Sequence, residues 1–596
     1  MQPLVGEHKE VRFARWRANA DELNTETLNA QKESTVLQRI NGFPFASPKP
    51  DTLFLDLESK ASHMNEKALW KLGDIFFDTV DVACRDIAGD MSAEIMAQYE
   101  PQLRKDAFGL LWQQLVTPDV ERQIALAQTA EEKALLRLTV NDVQGAAELL
   151  VAAKDYRLAT LVSQLPGDSV SRDLMQAQIE VWRNRNDWSE MTEPVRALYS
   201  IVAGEVCAVP GKNGPAEHRA TSFCISERFG LNWKQSFGLR VFFGNYYRLE
   251  DAVEGYLKSL KDADEKVLPL PGWVEDSASG ADREDTLLGL LRLAVTQTDL
   301  EALFDPKTVS GSSVDSRVAW QLATYLRAKG YALALPEEKL DQLTIGFAAE
   351  LEAANTLVTA VWVLLHVHNE ADRRKLITDL LFRNAKNITS PKDNAADADG
   401  VWERLVNNLA LPEELLWRAK AQHVRAQQTD AFLQARYLIN ATAYEEAHQV
   451  FCEVLGPQAV IEEEFEALSN ILEDFCRVAK NQHIEGWEAG GAVFLNFVTL
   501  QELPPARKRG KEGRQVMERL QDGLEAMRSS EGKKALESVV AIVEMERVLR
   551  EEIREAGFDL RKEQSNMMDI DGVTGSSDGS GMDAFLRYKA AMGVVA

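Results

Sequence analysis

The chain of 596 residues has few of the features that catalysis, export or membrane insertion require. It contains only five cysteines, at positions far apart and without a CxxC pair, so a disulfide framework or a zinc site is poorly supported. No apolar signal peptide opens the chain, and the longest apolar run, 357–365, is too short to cross a bilayer. These absences favour a reducing compartment and predict no membrane insertion.

Basic residues are fewer than acidic residues. Lys and Arg together number 67 against 93 Asp and Glu, which gives a formal net charge of −26. Because such a chain is repelled by phosphate backbones, we expect no direct nucleic-acid partner. The hydrophobic content of 45% is nevertheless that of a folded protein.

Helical periodicity dominates the rest of the chain, and we find no convincing alternating strands with hairpin turns. A first helix is predicted around Val11, Phe13 and Trp16, followed by a proline-rich loop over 42–50. The run 347–367 is apolar almost all round, which predicts one helix buried on every side. Short helices with small alanines recur irregularly, as in a helical stack rather than a regular repeat array.

Three patterns that could carry chemistry have simpler interpretations. His366 and His368 are two residues apart, so on a helix they point in nearly opposite directions and are poor joint metal ligands. The GxSxG pattern at 575–579 lies in a polar Gly/Ser-rich tail rather than at a strand-to-helix turn. We therefore predict no catalytic, metal-binding or cofactor-binding residues and no cofactor. An enzyme hidden in a helical fold would need clustered polar residues, which the sequence does not display.

A basic run at 507–514 leaves two interpretations open. It is either an import signal or patch for an acidic partner, or a solvated loop. A helix start over 315–326 is clearer, because Asp315 can cap a helix whose inner face holds Trp320 and Leu322.

Four blocks carry a family resemblance. They are 231–243, which begins Leu-Asn-Trp-Lys, then 300–331, 362–375 and 411–421. In order and spacing they resemble the large helical nucleoporins of the Y-shaped nuclear pore scaffold, specifically the mature C-terminal product of the self-cleaving nucleoporin precursor. The resemblance extends from about residue 12 to about residue 497.

The resemblance implies an all-α fold of the ancestral coatomer element type. This is an elongated, irregular helical solenoid in which a U-turn creates a trunk, a crown and a tail. The implied divisions are an N-terminal extension 1–9, trunk 10–117, crown 118–262, loop 263–282, returning trunk 283–455, tail helices 456–560 and a disordered acidic tail 561–596.

The implied function is a structural, non-enzymatic scaffold subunit of the nuclear pore that supports nucleocytoplasmic transport and mRNA export. The alternative is an outer-coat subunit of a vesicle coat with the same fold. The implied partners are a related helical nucleoporin at the crown, a seven-bladed β-propeller subunit, and other arm subunits of the Y at the tail. The predicted crown contacts are Leu158, Leu161, Leu174, Ile179 and Trp182.

One departure concerns the propeller partner. The family carries, ahead of the first trunk helix, a β-segment with a Gly-Trp-Gly-Pro-like sequence that completes the propeller by strand addition. We find no such segment before the helix predicted around Phe13. Weak propeller binding by this chain alone is therefore expected.

Overall fold

The computed structural model describes residues 26–271, 284–296, 301–310, 315–331, 336–390, 400–427, 430–479, 483–529 and 535–557. The helix predicted around Val11 to Trp16 and the predicted disordered tail with its GxSxG pattern lie outside these residues. The chain forms two compact units, Met1–Arg373 and Arg374–Ala596.

The first unit is built from helices of 4 to 27 residues. The helices are α1 (Glu26–Glu33), α2 (Phe54–Lys60), α3 (Met64–Phe77), α4 (Val80–Ala83), α5 (Arg85–Ala88), α6 (Ala93–Gln98), α7 (Glu100–Leu126), α8 (Ala130–Leu138), α9 (Val143–Ala152), α10 (Tyr156–Val162), α11 (Ser169–Arg185), α12 (Asp187–Glu190), α13 (Glu193–Val202), α14 (Ile225–Arg228), α15 (Trp233–Phe243), α16 (Leu249–Lys261), α17 (Thr286–Val295), α18 (Pro306–Ser310), α19 (Arg317–Ala328), α20 (Glu337–Ala353), α21 (Leu357–Leu364) and α22 (Glu370–Arg383), the last of which contains the division between the units. Two antiparallel strand pairs accompany them, β1 (Thr35–Ile40) with β2 (Phe43–Pro48) and β3 (Ala208–Val209) with β4 (Phe223–Cys224).

The second unit has only helices among its described regular elements. It contains α23 (Val401–Glu403), α24 (Glu413–Gln427), α25 (Ala431–Asn440), α26 (Tyr444–Val450), α27 (Gly456–Glu462), α28 (Phe465–Ala479), α29 (Gly491–Glu502), α30 (Pro505–Lys508), α31 (Lys511–Ser529) and α32 (Leu536–Ala556), with π-helical turns at Arg404–Asn408 and Phe451–Leu455. The all-α prediction is confirmed for the described part of the chain. Among the helices described, none has both the length and the apolar character of a bilayer span.

The prediction of a loop over 42–50 is wrong, because this stretch belongs to a β-hairpin. Asn41 and Gly42 form its two-residue turn, with φ of 51° and 83°, and pair Ile40 with Phe43 across the ladder. Two consecutive positive φ angles are the signature of the turn that an Asn-Gly pair favours. The prolines of β2 are tolerated because both strands of a two-stranded sheet are edges.

The chain of the first unit turns back on itself. The helix α17 packs against α3, far earlier in the sequence, and the N–H of Ala46 in β2 donates to the carbonyl of Leu365 at 2.9 Å. The buried guanidinium of Arg373 donates to the carbonyl of Pro44 at 3.1 Å. Within this unit, therefore, the first and last described segments share one layer.

Between these segments, short helices begin at regularly placed aspartates. Asp142, Asp155 and Asp168 stand thirteen residues apart, and each is an N-cap whose carboxylate accepts from the backbone N–H three residues on, at 2.8, 3.0 and 2.7 Å. Such caps satisfy donors that a helix start leaves free. They fix where α9, α10 and α11 begin.

The helix α15 carries the core of this region. At its start, Asn232 and Gln235 form a reciprocal capping box. Every residue of the helix except Lys234 is buried. Trp112 of α7 packs edge-on to Phe237, and its indole N–H donates to the carbonyl of Lys234 at 2.7 Å.

Two further details differ from the predictions. The run 347–367 is not one helix, because Asn355 takes a left-handed φ of 60° and separates α20 from α21. The cap of α19 is Ser316 rather than Asp315. The backbone N–H and hydroxyl of Ser316 both donate to Glu350, the latter at 2.7 Å, so a contact distant in sequence fixes the helix start.

Candidate protein interaction surface

Several large apolar side chains of α9–α11 face solvent. Val151 lies in the last turn of α9, Tyr156 begins α10, and Val170 and Leu174 lie in the first half of α11. Each is about half or more exposed. Tyr156 is 62% exposed and Leu174 is 67% exposed. Apolar side chains on successive helices of one region are typical of protein contact surfaces.

A shallow groove lies beside these side chains. It has a volume of ≈ 610 Å³ and is lined by α9 and by Ser163 just after α10. Its lining residues Val143, Ala147 and Val151 follow helical spacing along one side of α9, so the groove is a property of that helix face. A groove of this kind can accept an apolar side chain from another helix.

The five residues predicted for the crown contact occupy different environments. Leu158, Ile179 and Trp182 are buried in the core of the first unit, Leu161 is partly buried against it, and Leu174 is exposed. On α11 the inward stripe is Met175, Ile179 and Trp182, at helical spacing, and Leu174 lies one residue off it. Of the five, therefore, Leu174 is the side chain most accessible to a partner.

Trp182 is held from several sides. Its ring stacks with that of Trp188 at 6.4 Å and tilts against Tyr199 at 4.8 Å. The guanidinium of Arg157 in α10 lies 5.3 Å from its ring centroid. This aromatic cluster orients α11 relative to α10, and so supports the exposed residues indirectly.

A cysteine–histidine pair in the second unit lacks the features of a nucleophile. The Sγ of Cys452 lies 3.3 Å from Nε2 of His448, which also accepts the backbone N–H of Gly491 at 2.9 Å. Burial raises the pKa of the Cys452 thiol to about 12 and lowers the pKa of His448. Both shifts oppose a thiolate–imidazolium pair, so the thiol is unsuited to nucleophilic attack.

The histidines at 366 and 368 are engaged separately. The ring of His366 is buried against Trp320 and Trp362, with Nδ1 3.1 Å from the carbonyl of Trp362. His368 is exposed, and its Nε2 lies 2.8 Å from the guanidinium of Arg327. Burial lowers the pKa of His366 to about 4, which keeps its ring neutral near pH 7.

The basic run includes two ion pairs. Lys508 pairs with Glu552 of α32 at 2.6 Å, with both side chains largely buried, and Arg514 pairs with Glu518 one turn along α31. Lys508 thus contributes to packing within the second unit, and the solvated-loop interpretation does not describe it.

Sequence reasoning missed one cluster of chemically capable side chains. Cys207, Cys224 and Glu265 each offer one ligand atom, and these atoms lie within 4.8 Å of one another. The residues are too far apart in sequence for a local motif. The only sequence signal is that the two cysteines lie on either side of the Pro/Gly-containing stretch 210–215. In the structure this stretch lies between β3 and β4 and connects the two strands of the ribbon.

The described residues form a protein of packed, mostly short helices, several of which expose large apolar side chains. Residues 132–423 match the family model of nuclear protein 96, Nup96, and this range contains all four blocks of the sequence resemblance. This match covers just under half of the chain, and the similar proteins are likewise nucleoporins.

Similarity to individual proteins agrees with the family. The chain is 32% identical over 390 residues to nucleoporin NUP145 of Chaetomium thermophilum, which covers 65% of this chain and 20% of the relative. It is 26% identical over 505 residues to nucleoporin nup189 of Schizosaccharomyces pombe, covering 81% and 26%. It is 25% identical over 371 residues to Nup98-Nup96 of Drosophila melanogaster, covering 61% and 18%. The chain thus spans about a quarter or less of these relatives.

Proposed function

We propose that the chain is a structural scaffold subunit of the Y-shaped subcomplex of the nuclear pore. The observation that carries the proposal is the Nup96 match over 132–423, in a chain whose described residues form a helical stack. Through protein assembly it supports nucleocytoplasmic transport and mRNA export, and its location is the nuclear envelope at the pore. A vesicle-coat subunit is not favoured, because the similar proteins are nucleoporins.

The proposed scaffold acts without catalysis. The similar proteins are named as nucleoporins, which supports this assignment.

The crown at 118–262 is proposed to bind a related helical nucleoporin. The side chains offered for this contact are those that solvent reaches, Tyr156, Val170 and Leu174, together with the groove along α9. Burial of one such side chain contributes roughly 1.5–3 kcal/mol, so a few of them can account for much of a specific contact. Leu158, Ile179 and Trp182 support this surface from below.

Two other partner classes belong to the proposal. Arm subunits of the Y would bind the tail helices within 456–560, and a seven-bladed β-propeller would bind through an added β-segment. The trunk, crown and tail divisions are proposed on the same basis. All these partners are proteins, in keeping with the acidic net charge of −26.

The direct test is a tagged copy of the full chain expressed at its native locus. We expect fluorescence at the nuclear rim and co-purification of the other Y-complex nucleoporins in equal amounts. Cytoplasmic vesicle staining with coat subunits in the purified complex would overturn the proposal.

A further inference from the structure

The β3–β4 ribbon brings two thiols of the first unit together. Ala208 pairs with Cys224 across the ribbon, and the N–H of Ile225 donates to the carbonyl of Cys207 at 2.8 Å. The ribbon therefore places Cys207 diagonally beside Cys224. Cys224 is buried and Cys207 is half-buried, so one side of the pair remains open to small solutes.

A buried carboxylate faces the thiols. Glu265 follows the C-terminal end of α16 and is 4% exposed. Its Oε1 lies 3.8 Å from Sγ of Cys224 and accepts the backbone N–H groups of Lys266 and Val267 at 3.1 and 3.2 Å. The hydroxyls of Ser226 and Ser236 also donate to this carboxylate. Its position is thus fixed from several sides.

We propose that Cys207, Cys224 and Glu265 form a binding site for a thiophilic divalent cation, with Zn²⁺ as the best match. Two thiolates and one carboxylate are a ligand set that selects zinc over magnesium or calcium. The hydroxyl oxygen of Ser226, 3.0 Å from Sγ of Cys224, or a water molecule can complete a tetrahedron. The spacing of Cys207, Cys224 and Glu265 in the sequence does not match a known metal-binding motif.

The distances fit a four-coordinate ion. With Zn–S of about 2.3 Å and Zn–O of about 2.0 Å, tetrahedral geometry separates a sulfur from an oxygen ligand by about 3.5 Å. The observed distance from Cys224 Sγ to Glu265 Oε1 is 3.8 Å, so shifts of a few tenths of an ångström are enough for that pair. The 4.8 Å limit on all three ligand atoms means that Sγ of Cys207 would need to move by at most about 1.3 Å to reach the same separation.

Charge and protonation also suit the site. With both thiols ionised, two thiolates and the Glu265 carboxylate place three negative charges around the divalent cation. A bound cation displaces the proton of a thiol ligand, so metal affinity should fall as the pH is lowered.

The site would join three separate pieces of chain. Cys207 precedes β3, Cys224 ends β4, and Glu265 lies beyond α16. Because β3 and β4 are only two residues long, an ion at their base would stabilise a ribbon that few backbone bonds hold. The ion is therefore structural, and it anchors the ribbon to the end of α16.

The test uses the full chain and Zn²⁺ or Co²⁺ alone. Elemental analysis of protein purified without chelator should give about one zinc per chain. After chelation, Co²⁺ should produce the charge-transfer absorption of thiolate ligands. C207S and C224S should each lower metal affinity at least tenfold, and E265Q should lower it measurably. C476S, at a half-buried cysteine of α28, is the matched control and should leave binding unchanged.

Two measurements on the unaltered chain keep the test decisive if a variant fails to fold. Bound Zn²⁺ should protect Cys207 and Cys224, but not Cys476, from alkylation, and should raise the thermal midpoint of the chain. Zinc far below one per chain, Co²⁺ without a thiolate band, or equal metal loss in C476S would overturn the proposal. So would a Cys207–Cys224 disulfide forming in air in a chain that binds no metal after reduction.

Discussion

Arg317 and Glu66 form a bidentate ion pair that joins two helices 251 residues apart in sequence, with N–O distances of 2.7 and 2.8 Å. Their side chains are only 10% and 9% exposed. The guanidinium also donates to the hydroxyl of Thr27 in α1 at 2.9 Å. One arginine at the start of α19 thus connects the returning segment of the first unit with both α1 and α3.

Replacing this arginine should be costly. Burial opposes ionisation of Glu66, but the bonds from Arg317 outweigh it and hold the pKa of Glu66 below its usual value. R317A leaves that carboxylate buried without its cation, and we expect a loss of about 3–5 kcal/mol in the free energy of unfolding of the first unit. Denaturant titration followed by tryptophan fluorescence measures it.

Two variants control this experiment. The double variant E66L/R317M replaces the pair by apolar side chains and should recover most of the lost stability. R418A removes the exposed pair with Glu446 in the second unit and should change stability by less than about 1 kcal/mol. A loss in R317A no larger than in R418A would contradict the structural role assigned to the buried pair.

Stability of the first unit should fall in mild acid because of His366. Burial depresses its pKa to about 4, so between the ordinary value near 6.5 and pH 4 the unfolded chain binds a proton that the folded chain does not. Stability from this group is complete above about pH 6.5 and is lost as pH falls towards 4, by up to about 3 kcal/mol.

The variant H366F removes this titration and keeps a ring between Trp320 and Trp362. Its stability should fall less than that of the unaltered chain between pH 6.5 and pH 4.5, whatever its value at neutral pH. Unfolding midpoints at four or five pH values suffice to compare the slopes. Parallel curves would show that His366 is protonated in the folded state.

Two glycines should respond in opposite ways to alanine. Gly42 has φ of 83° and nothing within 4 Å of a Cβ, so G42A introduces backbone strain without a clash and should cost about 1–2 kcal/mol. Gly109 lies within α7, where a Cβ would meet Phe242 at an ordinary 3.5 Å. G109A should therefore stabilise by about 0.5–1 kcal/mol. Thermal melting of both variants tests this, and a shift of the same sign in both would contradict it.

The sequence could predict features that local chemistry decides. The start of α15 was predictable because Asn232 and Gln235 are a capping pair at the required spacing. The hairpin was equally local, since Asn41-Gly42 is a strong turn signal, but the prolines at 44, 48 and 50 led to a loop prediction. The break at Asn355 was hidden because apolar residues continue on both sides of it.

Features that depend on distant neighbours could not be read in this way. Periodicity identifies Ile179 and Trp182 as apolar helix positions, but it does not say whether the chain's own core or a partner covers them. The cap at Ser316 depends on Glu350, and the Cys207–Cys224–Glu265 cluster depends on a ribbon and a helix end. In each of these cases the deciding contact comes from tertiary packing.

The proposed crown contact can be separated from the core beneath it by substitutions on one helix. L174D places a charge on an exposed side chain and should leave the thermal midpoint within a few degrees of the unaltered chain. It should weaken binding of the helical nucleoporin partner at least tenfold, because burying an unpaired carboxylate in an apolar contact is costly. Calorimetric titration with the purified partner measures this loss.

Three companion variants show whether the effect belongs to the surface. Y156D should act in the same direction as L174D, whereas L536D changes an exposed leucine of α32 and should leave crown binding unchanged. W182D introduces a charge into the aromatic cluster with Trp188 and Tyr199. It should lower the thermal midpoint sharply, so its effect is on stability and not on the contact surface. If L174D and Y156D remain folded and bind the partner as tightly as the unaltered chain, the contact lies elsewhere on the crown and the exposed side chains of α10 and α11 do not form it.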